Sequence, residues 1–224
     1  MEKFNTVIFD LDGTLLDTLE GIRDSVNYTL ALYGFPCRKI EEIRSFVGNG
    51  GGRLIELSIP DGLHNPLYEK CLADFRNHYS GHMLNKTHPY NGIMEILGQL
   101  SRKGYNMAIV SNKFDKAVKE LNEVYFRKYI SVAIGESEHV SRKPAPDTVL
   151  KALEELGAAA DKTVYVGDSE VDVQTARNSG MMCVGVTWGF RDRKVLEQKG
   201  ADYIIDKPQE LLDIIAPFCS KTFL

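Results

Sequence analysis

The chain has 224 residues, of which 43% are hydrophobic and 26% are charged, and its formal net charge is −4. This length allows one well-buried core, or one core with a smaller companion domain. The mildly acidic balance lacks the basic excess that nucleic-acid binding needs, but it is compatible with a local site for a small anion.

The spacing of the cysteines and histidines indicates the redox compartment and argues against a metal site built from these residues. We expect reduced thiols, because no C-x-x-C pair or disulfide framework is formed by Cys37, Cys71, Cys183 and Cys219. The five histidines, among them His139, show no metal-ligand spacing, and most are expected at the surface. Without a signal-peptide pattern, or an apolar run near the roughly 20 residues of a membrane helix, we expect a cytoplasmic protein with no membrane partner.

Apolar runs without polar alternation are interspersed with helical patterns along most of the chain. Such runs are typical of strands buried on both faces, and they predict strands at 7–9, 107–110, 132–134, 163–166, 183–186 and 203–205. Apolar residues at helical spacing predict helices over 92–102, 113–124, 147–156, 170–179 and 208–215. This order predicts a doubly wound, Rossmann-like α/β core with a parallel sheet.

The segment after the first strand differs, because it contains no convincing strand. Helical patterns occupy 22–33, 40–46, 53–57 and 67–79, and the glycines of 48–52 interrupt the pattern before Arg53. We therefore predict a small all-helical domain at 17–83, inserted into an α/β core formed by 1–16 and 84–224.

Polar side chains follow four of the predicted strands. Two aspartates follow the first strand, a Ser-Asn pair the second, a lysine stands in the loop after the third, and a Gly-Asp pair follows the fourth. Each has a structural alternative as a turn, a helix N-cap or a solvated loop residue. Because the carboxyl ends of parallel strands meet at one sheet edge, we expect one site that unites Asp10, Asp12, Ser111, Asn112, Lys143, Asp168 and Asp172.

Together these motifs resemble those of the haloacid dehalogenase superfamily, specifically its phosphatase branch. The resemblance rests on Asp10-Leu11-Asp12-Gly13-Thr14, Ser111-Asn112, Lys143-Pro144 and Gly167-Asp168-Ser169-Glu170-Val171-Asp172. All four motifs are present in the family's order and span nearly the whole predicted core. The helical domain after the first motif resembles the family's small helical cap.

The resemblance implies a Mg²⁺-dependent phosphatase that forms an aspartyl-phosphate. It implies that Asp10 is the nucleophile and a metal ligand, and that Asp12 is the general acid–base and lends its backbone carbonyl to the metal. Asp168 completes the implied ligand set, which suits a hard cation. Lys143 is implied to neutralise Asp10 and the transferring oxygens, a role of positioning and electrostatics.

Other motif residues are implied to act around these groups. Ser111 and Asn112 are expected to bind the phosphoryl group of the substrate. Asp172 is expected to orient Lys143 or a metal-bound water rather than to bind the metal. Thr14 is expected to have a structural role or to contact the residues that bind the ligands. The acid at Asp12 favours phosphoryl transfer, because the dehalogenases of the superfamily lack it.

The stretch FVGNGGGRL at 46–54 resembles the cap loop of phosphoglycolate phosphatases, which often contains Gly-Asn-Gly before a helix. Free N–H groups at a helix N-terminus favour anions, so Gly50 and Arg53 are candidate contacts to the non-phosphate end of the substrate. The alternative is a hinge that needs positive φ angles. The substrate expected is a small phosphorylated metabolite, with 2-phosphoglycolate as the first candidate, for a protein that is a monomer or a weak homodimer.

Other functions share parts of these motifs. Pyrophosphatases and sugar-phosphate phosphatases of the branch share the motifs, and sugar phosphomutases share Asp17, Thr18 and Glu20, although they carry a histidine where this chain has Ile22. A non-catalytic binding module would be expected to lose the motif residues, which are all present. A calcium loop at Asp-x-Asp-Gly is disfavoured because the later ligands are missing.

Overall fold

The structure, a computed structural model, describes residues 4–138 and 140–215, so the predictions for His139 and Cys219 lie outside the described residues. Cys37, Cys71 and Cys183 are free thiols. The strands are β1 (Thr6–Phe9), β2 (Leu16–Asp17), β3 (His88–Pro89), β4 (Asn106–Phe114), β5 (Val132–Glu136), β6 (Thr163–Gly167), β7 (Met182–Val186) and β8 (Tyr203–Ile205).

Six of these strands form one parallel sheet in the order β5-β4-β1-β6-β7-β8. The chain builds outward from β1 in one direction through β4 and β5, and in the other through β6, β7 and β8. The order therefore reverses at β1, and a crevice is expected at the carboxyl ends of β1, β4 and β6. The predicted doubly wound α/β fold and its six strands are confirmed.

The helices are α1 (Leu19–Leu32), α2 (Ile40–Phe46), α3 (Gly50–Ser58), α4 (Tyr68–His82), α5 (Ile93–Arg102), α6 (Asp115–Tyr125), α7 (Asp147–Leu156), α8 (Glu170–Asn178), α9 (Arg193–Lys199) and α10 (Leu211–Ile215). The helix predicted over 208–215 is a 3₁₀ turn followed by α10, and α9 was not predicted. Within the described ranges, no helix combines the length and the apolar character needed to cross a membrane.

Apolar residues on the two faces of the sheet belong to two separate clusters. Val7 and Phe9 of β1 pack with α5 and α6, whereas Ile8 packs with α7, α8 and α9 on the other face. This alternation follows from the two-residue period of a strand. Burial on both faces explains why the strand sequences lack polar alternation.

The helices α1 to α4 form a compact group that we call the helical insert, residues 19–82. Helix α1 packs against α4 and α2, and α3 packs against α4. The short strands β2 and β3 pair antiparallel, Leu16 with Pro89 and Asp17 with His88, where the chain enters and leaves the helical insert. The domain limits at 17–83 stay a prediction.

Several helix starts differ from the predictions, and two of these differences affect the cavity described below. Helix α3 begins at Gly50 rather than at Arg53, so three glycines form its first turn despite their poor helix propensity. This turn lies against α4: an added Cβ at Gly51 would be 3.5 Å from Phe75, and one at Gly52 would be 3.1 Å from Tyr68. Tertiary packing therefore overrides the local preference there.

Helix α6 begins at Asp115 rather than at residue 113, because β4 continues to Phe114 with a shift of register after Val110. The Asp115 side chain accepts a hydrogen bond from the Gly135 N–H at 3.0 Å, which ties the start of α6 to β5. The predicted helix start at Lys113 is wrong because Lys113 and Phe114 belong to β4.

Candidate active site

A cavity of about 70 Å³ lies where β1, β4 and β6 end under the helical insert. On the same measure one water molecule needs about 10–15 Å³, so the cavity has room for a small ligand. The core contributes most of the predicted site residues to its lining, namely Asp10, Asp12, Ser111, Asn112, Lys143 and Asp168. The predicted convergence of strand ends thus occurs.

Asp10 extends β1 into this cavity. Its backbone N–H donates to the Val166 carbonyl at 2.9 Å, which continues the sheet by one residue and fixes where the side chain emerges. The carboxylate Oδ1 accepts from Lys143 at 2.6 Å. Across the described ranges no residue donates a hydrogen bond to Oδ2. One oxygen of Asp10 is therefore held, and the other is available to a ligand.

Lys143 is 3% exposed and connects the acidic groups. Its Nζ donates to Asp10 Oδ1 at 2.6 Å, to Asp172 Oδ1 at 2.8 Å and to the Tyr165 hydroxyl at 3.0 Å. Burial opposes its charge, but Asp10 and Asp172 raise the pKa of Lys143 well above its ordinary value. Lys143 is therefore a fixed positive charge beside the free oxygen of Asp10.

Asp172 uses both of its oxygens inside the protein. Oδ1 accepts from Lys143 and from the Tyr165 hydroxyl, which lies at 3.0 Å. Oδ2 accepts from the backbone N–H and the hydroxyl of Ser169 at 3.0 and 2.6 Å, in a capping box at the start of α8. Burial tends to raise the pKa of Asp172, but the Lys143 ammonium holds it below its ordinary value. These contacts favour an orienting role over metal ligation.

Asp168 is held in place by the chain around it. Its Oδ2 accepts from the Phe190 N–H at 2.6 Å, and its Oδ1 accepts from the Thr14 hydroxyl at 3.3 Å. Gly13 has a φ of 89°, and a Cβ there would lie 2.5 Å from Asp168 Oδ2, so only glycine fits. Burial and repulsion from Asp172 raise the pKa of Asp168 to about 7.

The carboxylates suit a divalent cation. Oxygens of Asp10, Asp168 and Asp172 all lie within 4.8 Å of one another. Burial and then the two neighbouring carboxylates raise the pKa of Asp10, although Lys143 acts in the opposite direction. The single Lys143 ammonium does not balance the negative charge of the three carboxylates. A hard cation that takes oxygen ligands would supply the missing positive charge. Asp10 and Asp168 are the members with ligating capacity left.

Asp12 faces the same cavity with different partners. Its Oδ1 accepts from the Thr18 hydroxyl at 2.7 Å, and its Oδ2 lies 2.9 Å from Lys113 Nζ. Lys113 did not figure in the sequence analysis as a site residue. Its side chain is 7% exposed, and its ammonium lies over the Tyr79 ring of α4, 4.5 Å from the centroid.

The irregular end of β4 explains the position of Lys113. Ser111, Asn112, Lys113 and Phe114 all line the cavity, although successive side chains of a regular strand point to opposite faces. The register shift after Val110 removes that alternation, as a β-bulge does. The Ser111 hydroxyl accepts from the Lys113 N–H at 3.2 Å within this bend.

The helical insert meets the strand ends through the backbone of its glycine-rich loop. Asn112 Nδ2 donates to the carbonyls of Gly48 in the insert and Lys143 in the core, each at 3.0 Å. Gly50 has a φ of 81° and lines the cavity, and a Cβ there would lie 2.7 Å from Glu136. The structure does not bring Arg53 into the cavity: it is exposed on α3 and pairs with Glu56.

Two arginine side chains, one from the core and one from the helical insert, each donate hydrogen bonds to backbone carbonyls on the opposite side of the contact. Arg191 of the core donates to the carbonyls of Arg44 and Val47 at 2.8 and 2.9 Å, and pairs with Glu170 at 2.9 Å. Arg44 of the insert donates to the Phe190 carbonyl at 2.8 Å. The N–H of Phe190 binds Asp168, so this contact abuts the carboxylate cluster. No local sequence pattern indicated it.

Known proteins agree with this architecture. Residues 7–186 match the family described as haloacid dehalogenase-like hydrolase. A phosphoglycolate phosphatase of Vibrio parahaemolyticus is 32% identical over 224 residues, covering 96% of this chain and 97% of the relative. One of Agrobacterium fabrum is 33% identical over 207 residues, covering 89% and 87%.

Solved structures are similar over nearly the full length. A protein of Lactobacillus delbrueckii subsp. bulgaricus, provisionally assigned as a phosphoglycolate phosphatase, superposes with a TM-score of 0.90 at 34% identity, covering 97% of this chain and all of that one. A protein of Haemophilus somnus with a similar assignment gives 0.88 at 26% identity, covering 96% and 99%. The chain therefore belongs to the haloacid dehalogenase-like hydrolases and is an enzyme similar to the phosphoglycolate phosphatases.

Proposed function

We propose that this chain is a Mg²⁺-dependent phosphatase that hydrolyses a small phosphorylated metabolite through an aspartyl-phosphate, with 2-phosphoglycolate as its substrate. One observation carries the proposal. Asp10 and Asp12 face one small cavity, but Asp10 is held by Lys143 and the carboxylate cluster, whereas Asp12 is held by Thr18 and Lys113. Two carboxylates with different surroundings suit two different tasks.

Asp10 is suited to attack phosphorus. Lys143 fixes one oxygen of Asp10 and leaves Oδ2 without a donor among the described residues, so the proposed nucleophile is oriented before substrate arrives. The positive charge of Lys143 offsets the repulsion between this carboxylate and the anionic phosphoryl group. Asp172 keeps Lys143 in that position by accepting a second hydrogen bond.

Asp12 is suited to carry the proton. It would donate a proton to the leaving alkoxide, and then accept one from the water that attacks the phosphoryl group on Asp10. The Thr18 hydroxyl fixes its orientation at 2.7 Å. Ser111 and Asn112 line the same cavity and would hold the phosphoryl oxygens.

Asp10, Asp168 and the backbone carbonyl of Asp12 are the proposed ligands of Mg²⁺. When bound, the ion would neutralise negative charge on the phosphoryl oxygens and on the carboxylates. The hydrogen bonds from Phe190 and Thr14 keep Asp168 in position for this role.

The lining and the volume of the cavity favour a small substrate over a sugar phosphate. Ile22 lines the cavity at the position where sugar phosphomutases of the branch carry a histidine, so no proton-transferring group stands there. The volume of about 70 Å³ also favours a short leaving group. The names of the relatives agree with 2-phosphoglycolate, and pyrophosphate remains the alternative substrate.

A substrate panel tests the proposal. We expect kcat/KM for 2-phosphoglycolate to exceed those for glucose 6-phosphate, β-glucose 1-phosphate and pyrophosphate, and we expect EDTA to abolish turnover until Mg²⁺ is restored. A sugar phosphate or pyrophosphate at the top of the panel would replace the proposed substrate. Turnover that persists in EDTA would contradict the metal requirement.

A further inference from the structure

We propose that Lys113 and Tyr79 form the subsite for a carboxylate on the leaving group, so that the enzyme selects phosphate esters of 2-hydroxycarboxylates. This inference rests on the proposed phosphatase function and assigns residues to the choice of substrate. Lys113 comes from the irregular end of β4, and Tyr79 comes from α4 of the helical insert.

Three basic side chains line the cavity within the described part of the chain, and their partners differ. Lys143 donates to two carboxylates, a hydroxyl and a carbonyl. Arg191 is occupied by Glu170 and by two carbonyls of the helical insert. Lys113 has one ion-pair partner, Asp12, and otherwise faces an aromatic ring. An ammonium has three donors, so Lys113 keeps capacity for another anion beyond Asp12, whereas each nitrogen of the Arg191 guanidinium already has an acceptor.

The position of Lys113 relative to Asp12 fixes which part of the substrate it can meet. Its Nζ lies 2.9 Å from Oδ2 of Asp12, the residue proposed to protonate the leaving oxygen. A group on the carbon that bears this oxygen therefore comes within hydrogen-bond reach of the ammonium. In 2-phosphoglycolate that group is a carboxylate, and in ethyl phosphate it is a methyl group.

Tyr79 supplies a second indication of a polar ligand. It is 1% exposed and lines the cavity, and its hydroxyl lies near the Lys113 ammonium, which can only donate to it, so that the hydroxyl itself has no acceptor in the described chain. A buried polar group without a partner is costly, and a ligand that accepts its hydrogen bond would remove that cost. The ring lies under the ammonium of Lys113, so one carboxylate could meet both groups.

The other residues of the helical insert that line the cavity would strengthen the preference for a leaving group that carries a carboxylate. Ile22, Leu54 and Phe75 of the helical insert are apolar and line the same cavity. They offer no hydrogen bonds to a sugar hydroxyl. An uncharged leaving group would enclose the Lys113 ammonium without giving it a new partner, whereas a carboxylate would bind it by a charge-assisted hydrogen bond.

The test is the ratio of kcat/KM for 2-phosphoglycolate to kcat/KM for ethyl phosphate, measured with Mg²⁺. The wild type is expected to favour 2-phosphoglycolate strongly, and Lys113→Met to lower the ratio by about 10- to 100-fold. Ethyl phosphate reports any harm to Asp12, because such harm slows both substrates equally. Lys116→Met removes an exposed lysine of α6 and should leave the ratio unchanged.

Two variants keep the test decisive if Lys113→Met does not fold. Lys113→Arg retains the charge and should retain a preference for 2-phosphoglycolate, and Tyr79→Phe removes only the hydroxyl and should lower the ratio by about 3- to 10-fold. An unchanged ratio in Lys113→Met or in Tyr79→Phe overturns the subsite, since the residue then only supports Asp12 or the insert.

The outcomes also separate this inference from the proposed function. If the wild type hydrolyses both monoesters with a ratio near one, the phosphatase proposal stands and the subsite is rejected. If it hydrolyses neither monoester, the proposed function itself fails.

Discussion

The two sides of the cavity present different chemistry. On the core side, charged groups such as Asp10, Lys143 and Asp168 are each fixed by at least one strong hydrogen bond. On the side of the helical insert, the lining consists of apolar side chains, the backbone of Gly48 and Gly50, and the side chain of Tyr79 with its hydroxyl. Under the proposed function, the core would determine which bond is broken, and the insert would determine how much room the leaving group has.

The largest effect is expected at Asp10, the proposed nucleophile. Asp10→Asn keeps the shape of the side chain but removes the charge that attacks phosphorus, so turnover of p-nitrophenyl phosphate should fall by at least about 10⁴-fold. Circular dichroism should show an intact fold. Turnover near that of the wild type would sink the nucleophile assignment.

A large effect on both activity and stability is expected at Lys143. Lys143→Met leaves Asp10 and Asp172 buried without their shared cation, and breaking a buried ion pair costs about 3–5 kcal/mol. Urea unfolding should show this loss, and turnover should fall by about 10²–10³-fold.

The matched control for Lys143→Met is Lys119→Met. Lys119 pairs with Asp115 on the exposed face of α6, where an ion pair contributes about 0–1 kcal/mol. If the two variants unfolded at the same urea concentration, the network around Lys143 would not have the role described for it.

A moderate effect is expected where the two sides of the cavity touch. Arg191→Ala removes the hydrogen bonds to the Arg44 and Val47 carbonyls and leaves Glu170 unpaired. We expect KM to rise by about 10-fold with a smaller change in kcat, since the variant loosens the contact between the insert and the core but leaves the carboxylates of the site in place. Arg193→Ala, an exposed residue of α9, should change neither constant.

The smallest effect is expected at Arg53. Its side chain is 45% exposed and paired with Glu56, and it does not line the cavity. Arg53→Ala should therefore change kcat/KM for 2-phosphoglycolate by less than about 2-fold. A loss confined to 2-phosphoglycolate, with p-nitrophenyl phosphate unaffected, would favour the contact that the sequence of the loop predicts.

The sequence predicts the core side of the cavity better than the insert side. Asp10, Asp12 and Asp168 follow short apolar strands, and the topology of a parallel sheet brings such strand ends together whatever the loops do. Their placement therefore needs only strand order and direction. The hydrogen bond from Tyr165 to Asp172 could not be predicted without the fold, because no local sequence pattern identifies a buried strand tyrosine as the partner of a carboxylate.

Lys113 shows where local reasoning stops. A Ser-Asn pair before a polar and apolar mixture is typical of a helix N-cap, so the pattern predicts that Lys113 lies on a helix. Pairing of β4 with β5 extends the strand to Phe114 and turns this lysine into the cavity. The helix start at Gly50 and the bonds of Arg44 and Arg191 likewise depend on contacts between segments far apart in sequence.

The pairing of β2 with β3 has a consequence for how such enzymes diversify. Leu16 lies beside Pro89 and Asp17 beside His88, so the chain leaves and re-enters the core at neighbouring points, about 5 Å apart as in any antiparallel ladder. A segment with adjoining ends can be lengthened, shortened or exchanged as a cassette without displacing the strands around it. One sheet with its site residues can thus be combined with many inserts, each of which would shape the cavity differently.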